Sequence, residues 1–212
     1  MKTLAVLSRK GGPGKTTLSI NLAVAAEKAG HTTILVDLDE QRSADRWGNR
    51  RKEETHADTP FVTGSPGSRL KEVLYRAENA GATLAIIDTA PSTGADTDNA
   101  AEVADMVLIP CETSLINAEA ITSTINTVRK ANVDARVVFN KVDPRTGVDR
   151  VNQAHEAVKK FDVPSAPCHV AQRVAFVDAY ALGLSVEEYE PRGKASKEIK
   201  DLYRYISAEM GV

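Results

Sequence analysis

From Arg9 to Thr17 the chain reads Arg-Lys-Gly-Gly-Pro-Gly-Lys-Thr-Thr, and those residue types at that spacing suit the enclosure of a phosphate chain. Glycines let the backbone curl so that successive amides point inward at phosphate oxygens, and the N-terminus of a following helix adds partial positive charge. Pro13 has no N–H to offer, so the cradle falls to Gly11, Gly12, Gly14, Lys15, Thr16 and Thr17. Lys15 is placed to reach β- and γ-phosphates, and the Thr16 hydroxyl to coordinate magnesium. The strict pattern, Gly-x-x-x-x-Gly-Lys-Thr, asks for glycine where this chain has Arg9, and a second lysine, Lys10, stands beside it. A plainer reading is an ordinary turn with a surface lysine nearby. The apolar run before the loop and the helical stretch after it favour the phosphate loop, because context is what confirms such a motif.

Three carboxylates belong with this loop. Thr33-Ile-Leu-Val-Asp37-Leu-Asp39 puts two at the end of a buried strand, and Leu84-Ala-Ile-Ile-Asp88 ends a second strand the same way. Ligands of open α/β sheets bind beyond the carboxyl ends of the strands. One aspartate there could cap a helix; three around a lysine-rich loop suit magnesium and the alignment of a water for phosphoryl transfer. Asn140-Lys141-Val142-Asp143 matches Asn-Lys-x-Asp, which reads guanine in small GTPases. Against GTP, Asp88 is followed by Thr-Ala-Pro where such enzymes carry Asp-x-x-Gly, and the first loop glycine is missing.

Lys10-Gly-Gly-x-Gly-Lys-Thr-Thr17 resembles the deviant Walker A box of the ParA/MinD family of dimerising ATPases. The resemblance implies ATP and Mg2+ as cofactors, with Lys10 reaching across a nucleotide-sandwich homodimer to the other subunit's phosphates. It makes Asp88 the Walker B aspartate, Asp39 the residue that orients the attacking water, Asp37 a supporting carboxylate near the metal, and Asn140 a neighbour of adenine. Gln172–Tyr189 resembles the family's segment near the adenine and the dimer edge. Glu40 and Ala90 stand where the family commonly has proline. Partition proteins of this family bind DNA without sequence preference while ATP holds them dimeric, and a ParB-like centromere-binding or adaptor partner stimulates hydrolysis. The expectation is therefore a plasmid or chromosome partition ATPase with slow intrinsic turnover, cytoplasmic and nucleoid-associated when ATP-bound. Alternatives are a MinD-like positioning ATPase for a non-DNA cargo and a dethiobiotin-synthetase-like ligase.

The elements that must hold these groups follow from the pattern. Short apolar runs alternate with amphipathic stretches, the signature of a parallel sheet covered by helices. Strands are expected at Thr3–Ser8, Thr33–Asp37, Leu84–Asp88, Met106–Pro110 and Arg136–Asn140, with weaker ones at Phe61–Thr63 and Pro167–Val170. Helices fit Lys15–Ala29, Ser43–Glu54, Gly67–Asn79, Asn117–Ala131, Val148–Phe161, Arg173–Leu182 and Ala195–Met210. The fold class is α/β: one P-loop NTPase domain over residues 1–212, a mostly parallel twisted sheet with helices on both faces.

Composition narrows the function further. With 42% hydrophobic and 26% charged residues, the chain is an ordinary globular one, not a disordered or collagenous one. Cys111 and Cys168 are too far apart for a CxxC metal site and read as packing residues. Net charge is −2, so attraction to DNA must be local. Arg129–Lys160 carries eight basic against four acidic residues, and Arg192–Arg204 five against two; Lys194, Lys197, Lys200 and Arg204 are the candidate DNA contacts. Ile199, Leu202, Ile206 and Met210 share a face of the last helix, while its charges balance. A membrane-surface helix is basic on that polar face, so no membrane partner is expected. The loop begins at residue 9, which leaves no room for an N-terminal helix-turn-helix. Trp47 among arginines is expected to be a half-buried anchor, not a platform for bases.

Overall fold

Strand residues Val, Ile, Leu and Ala fill both faces of a sheet whose ladder is parallel throughout, the arrangement that such unbroken apolar runs require. The computed structural model describes residues 1–91, 94–113, 118–146 and 148–212. Its strands are β1 (Lys2–Val6), β2 (Thr33–Asp37), β3 (Phe61–Gly64), β4 (Leu84–Asp88), β5 (Met106–Cys111), β6 (Asp134–Val142) and β7 (Ser165–Ala171). They lie in the order β3-β2-β4-β1-β5-β6-β7. Asp37 pairs with Asp88, and Asp88 with Val6, so three neighbouring strands end flush. That register brings the phosphate loop after β1 beside both aspartates, at the point where the strand order reverses.

The helices are α1 (Lys15–Lys28), α2 (Ser43–Thr55), α3 (Leu70–Asn79), α4 (Ala95–Val103), α5 (Ala118–Ala131), α6 (Val148–Lys159), α7 (Val174–Ala181), α8 (Val186–Tyr189) and α9 (Lys194–Met210). Strand side chains alternate between two helical layers, as period-2 geometry demands. Leu4, Val6, Leu35, Leu84, Ile86 and Leu108 pack with α1, α2, α7, α8 and α9. Ala5, Val36, Ile87, Val107, Ile109 and Phe139 pack with α3, α4, α5 and α6. Each buried Val, Leu or Ile contributes about 1.5–3 kcal/mol, so the two layers together hold the strand ends rigid.

The fold-class expectation holds, as do all seven strands, with shifted ends. β1 stops at Val6, β6 extends two residues past Asn140, and a 3-10 turn at Gly67–Arg69 precedes α3. Asn117, expected to open α5, lies outside the described residues. Two helices escaped the pattern. α4 (Ala-Asp-Thr-Asp-Asn-Ala-Ala-Glu-Val) has weak intrinsic propensity; it forms because Asp96 and Asp98 favour its N-terminus and Ala100 and Ala101 are buried beneath it. α8 is a single turn opened by a capping box in which Ser185 and Glu188 satisfy each other's backbone.

The basic stretches meet only in part. α6 packs in one layer and α9 in the other, so the sheet lies between those two helices, while Arg136 of β6 reaches α9 and is spent there on Glu209. Trp47 is fully buried; its Nε1 donates to Leu184 O at 3.3 Å, and the Arg51 guanidinium stacks 5.3 Å from its ring centre. A side chain so enclosed offers nucleic acid nothing. Trp47→Ala is expected to lower the unfolding free energy by about 3–5 kcal/mol, read from the denaturant midpoint.

Candidate functional site

The loop between β1 and α1 curls through two left-handed glycines, Gly12 (φ 90°) and Gly14 (φ 86°). At Gly14 the need is doubled: a Cβ there would stand 2.3 Å from Asn140 Nδ2. That contact has a purpose. Asn140, buried at the end of β6, donates from Nδ2 to Pro13 O at 2.7 Å, and the Lys141 ammonium donates to Gly12 O. In a trans peptide the C=O and the next N–H point in opposite directions. Turning Pro13 O toward β6 therefore turns the Gly14 N–H the other way. The Asn-Lys-x-Asp stretch thus shapes the phosphate loop from behind, a role that its reading as a base recogniser concealed. The motif's last residue is taken: Asp143 accepts Arg145 N–H at 2.9 Å, Nε at 3.0 Å and Nη2 at 2.8 Å. Those bonds hold its carboxyl down at about 2.

Inside the loop, Lys15 is buried, with Asp88 and Asp39 near. Burial lowers its pKa, and the two carboxylates oppose that shift. Asp88 is fully buried at the end of β4. Burial pushes its carboxyl up to about 7; the Thr16 hydroxyl bond pulls it down, the Asp37 charge pushes it up, and Lys15 and Ser19 pull it down. Ser19 Oγ lies 3.2 Å from Asp88 Oδ1, while Oδ2 is buried with no partner. An orphaned buried oxygen beside a threonine hydroxyl and the loop amides fits a magnesium ion carried in on a nucleotide. Among the described residues no group of three or more His, Cys, Asp or Glu could hold a metal by itself. Mg2+ characteristically takes one or two carboxylates and completes its shell with phosphate and water.

The other expected groups are placed less uniformly. Asp37 is buried with both oxygens committed: Oδ1 accepts Asp39 N–H at 2.9 Å, and Oδ2 accepts Ala44 N–H at 2.9 Å and Asp45 N–H at 3.1 Å. It fixes the β2–α2 turn and starts α2. Burial still raises its pKa, against those bonds. Asp39 is half-buried, and its Oδ1 accepts Gln41 N–H at 2.9 Å. Lys10 is half-buried and makes no hydrogen bond or ion pair among the described residues; its charge lies near the Cys111 thiol. Both cysteines are free, and burial raises both thiols, Cys111 to about 11. They are packing residues at physiological pH.

Comparison with known proteins gives this arrangement its family. The family model for the CobQ/CobB/MinD/ParA nucleotide binding domain matches residues 4–186. The chain belongs to this family of P-loop ATPases. The ParA/MinD relatives include the maintenance of carboxysome distribution protein A of Gloeobacter kilaueensis, 31% identical over 215 residues, covering 99% of this chain and 94% of that protein. The sporulation initiation inhibitor protein Soj of Bacillus subtilis is 26% identical, covering 98% of each. In fold, this ParA/MinD-type chain is like the cobyrinic acid a,c-diamide synthase of Mycobacterium smegmatis, solved with a bound ATP analog and magnesium, at a TM-score of 0.77, 16% identity and coverage of 100% and 97%.

The expected DNA contacts are mostly neutralised. Lys197 and Arg204 both pair with Asp201, and Lys200 lies 3.7 Å from buried Glu187. Arg192 and Lys194 are exposed without an ion pair among the described residues. No described helix is long and apolar enough to cross a membrane.

The site makes stability depend on pH. Between aspartate's ordinary 3.8 and about 7, the unfolded chain releases a proton that folded Asp88 keeps, so stability falls as pH rises through that window. At 1.36 kcal/mol per unit, this one carboxyl removes about 4 kcal/mol by pH 7. Urea unfolding of the ligand-free protein from pH 4 to 8 is expected to show the fall, and Asp88→Asn to flatten most of it. Asn140→Ala, which frees the Pro13 carbonyl, is expected to weaken nucleotide binding about tenfold, read by titration calorimetry.

Proposed function

We propose that this chain is a Mg-ATP-dependent ATPase that closes into a homodimer around two nucleotides and positions a cargo by binding and releasing nonspecific DNA. The observation that carries the reading is Lys10. A cation beside the cradle with no hydrogen bond or ion pair among the described residues has a role once a second subunit presents a triphosphate. Two further features support the dimer. At the same carboxyl edge of the sheet as the loop, α7 follows the edge strand β7, and its Val174 and Val177 are 73% and 68% exposed, an apolar face suited to a second copy. Asp39 is held by Gln41 through one oxygen, which leaves the other to orient a water.

The residues divide the work. Gly11, Gly12, Gly14, Lys15, Thr16 and Thr17 hold the phosphates, and Lys15 and Lys10 offset the charge that develops on them. Thr16 and Asp88 hold magnesium, which neutralises the phosphates and templates them for displacement. Asp37 supports that metal by fixing the strand end beside it. Asn140 donates from Nδ2 to the loop, which leaves its Oδ1 for the adenine amino group; with Asp143 occupied by Arg145, the site suits ATP over GTP. Turnover is slow because the ATP-bound dimer is the signal, and a ParB-like or adaptor partner speeds the reset. The single compact unit of residues 1–212 is cytoplasmic and joins the nucleoid when ATP-bound.

On DNA, Arg192 and Lys194 make the first contacts, and Lys197 and Arg204 join them by exchanging the half-exposed Asp201 for phosphate, a small cost at a surface; Lys200, which keeps its place beside buried Glu187, adds its charge to the patch. Dimerisation doubles the patch and steepens the salt dependence. The cargo is a plasmid or chromosomal locus in the first reading. Near full-length similarity to a carboxysome distribution protein favours a second, a protein-bounded compartment engaged through an adaptor. A small-acid ligase has no use for a Lys10 left without an ion pair among the described residues.

Light scattering with ADP, ATP, and ATP plus DNA tests the cycle. Wild type is expected to dimerise with ATP alone and then to bind DNA. Asp39→Ala is expected to stay dimeric in ATP, and Lys15→Ala to remain monomeric. Alanine at Lys194, Lys197, Lys200 and Arg204 together is expected to weaken DNA binding at least about tenfold at moderate salt with ATP affinity unchanged. A monomeric Asp39→Ala protein in saturating ATP would overturn the dimer reading.

A further inference from the structure

Arg9 occupies the place where the strict phosphate-loop pattern has glycine, yet its backbone is not left-handed, so the fold does not ask for glycine there. Its side chain runs sideways to α5. Nη1 donates to Ser123 Oγ at 2.6 Å and Nη2 to Thr127 Oγ1 at 2.7 Å, two hydroxyls four residues apart and so on one face of that helix. Asp98 Oδ1, on α4, lies 4.0 Å from Nη2. The Arg9 backbone N–H donates to Thr124 Oγ1 at 3.3 Å. Backbone and side chain of one residue are thus tied to the same helix, while Nε stays buried without a partner. The residue is kept although one of its donors is left unsatisfied.

The next residue is Lys10. A lysine's long stem gives it reach but no direction of its own, so where its ammonium can go depends on how firmly its backbone is held. We propose that Arg9 is a positioning residue: anchored on Ser123 and Thr127, it fixes the start of the loop so that Lys10 projects toward a triphosphate held by a second copy of this chain. The planar guanidinium suits the task because two of its nitrogens meet two hydroxyls at once; an ammonium at the same place offers a single point. The inference rests on the dimer reading and adds to it a residue that never touches nucleotide. Its anchor on α5 is also distinct from the Asn140 and Lys141 bonds that shape the loop's far side.

The test separates positioning from folding. ATP-driven dimerisation and ADP affinity are measured for wild type, Lys10→Ala, Arg9→Gln, Arg9→Lys and the Ser123→Ala/Thr127→Val pair. Arg9→Gln and the α5 pair are each expected to raise the dimer dissociation constant about tenfold, the loss of a hydrogen bond to a charged group, with ADP affinity within about twofold of wild type. Combining them is expected to add nothing further, since both remove one interaction. Arg9→Lys, which keeps the charge without the fork, is expected to behave like Arg9→Gln. If Lys10→Ala loses dimerisation but the Arg9 and α5 variants dimerise as wild type does, Arg9 does not position Lys10. A parallel fall in ADP affinity and unfolding midpoint in the Arg9 variants gives it a merely structural part and also overturns the inference. Wild type that stays monomeric in ATP brings down the dimer reading itself, and this inference with it.

Discussion

A carboxylate has been withdrawn from water before its counter-ion arrives. Asp88 is fully buried, one of its oxygens has no partner, and its proton is held to about pH 7. Left alone, such a group costs stability. It stays because the packed layers on both faces of β4 leave it no route to solvent, and because flush strand ends set Thr16, Ser19 and Lys15 around it. The neighbouring lysine is strained in the opposite sense, its charge disfavoured by the same burial. The carboxyl and the ammonium each offset the other's burial only in part, and together they define a place where a metal–phosphate pair lowers the energy of both.

A phosphate cradle is a set of backbone directions, and backbone directions need outside support. The cradle is turned from its far side by Asn140 and Lys141 through the carbonyls of Pro13 and Gly12; ahead of the cradle, the approach that carries Lys10 is tied by Arg9 to α5. These supports come from residues distant in the chain and close at the strand ends. Pro13 has no N–H, so its place in the loop is defined by the carbonyl that β6 grips. The β2 end is built on the same plan: Asp37 gives its oxygens to three amides, which makes Asp39 and the start of α2 one rigid piece with the sheet.

At the surface, charge alone is a poor guide to binding. Of two basic stretches that add up favourably along the chain, α6 and α9 lie in different helical layers, Arg136 is taken by Glu209, and within α9 Asp201 shares itself between Lys197 and Arg204. Surface pairs of this kind contribute little to stability, so they set the resting potential of the face without committing its cations permanently. A second copy changes the electrostatics more than any single side chain does, since it doubles every patch at once.

The chain's own residues determined the fold class, the loop, the three strand-end aspartates and the family, because hydrophobic periodicity and glycine spacing are local properties that survive without neighbours. The weak helix α4 was illegible for the same reason: its stability comes from Ala100 and Ala101 packing beneath it, not from propensity. Asn-Lys-x-Asp was visible as a motif, but its grip on the phosphate loop was not, since a one-dimensional match cannot show that Asn140 faces Pro13. Arg9 looked like a departure from a pattern until α5 came alongside it. Which carboxylate is free, which cation is paired and which carbonyl is gripped were decided only by tertiary structure, because each depends on through-space distances of a few ångströms between residues up to well over a hundred positions apart.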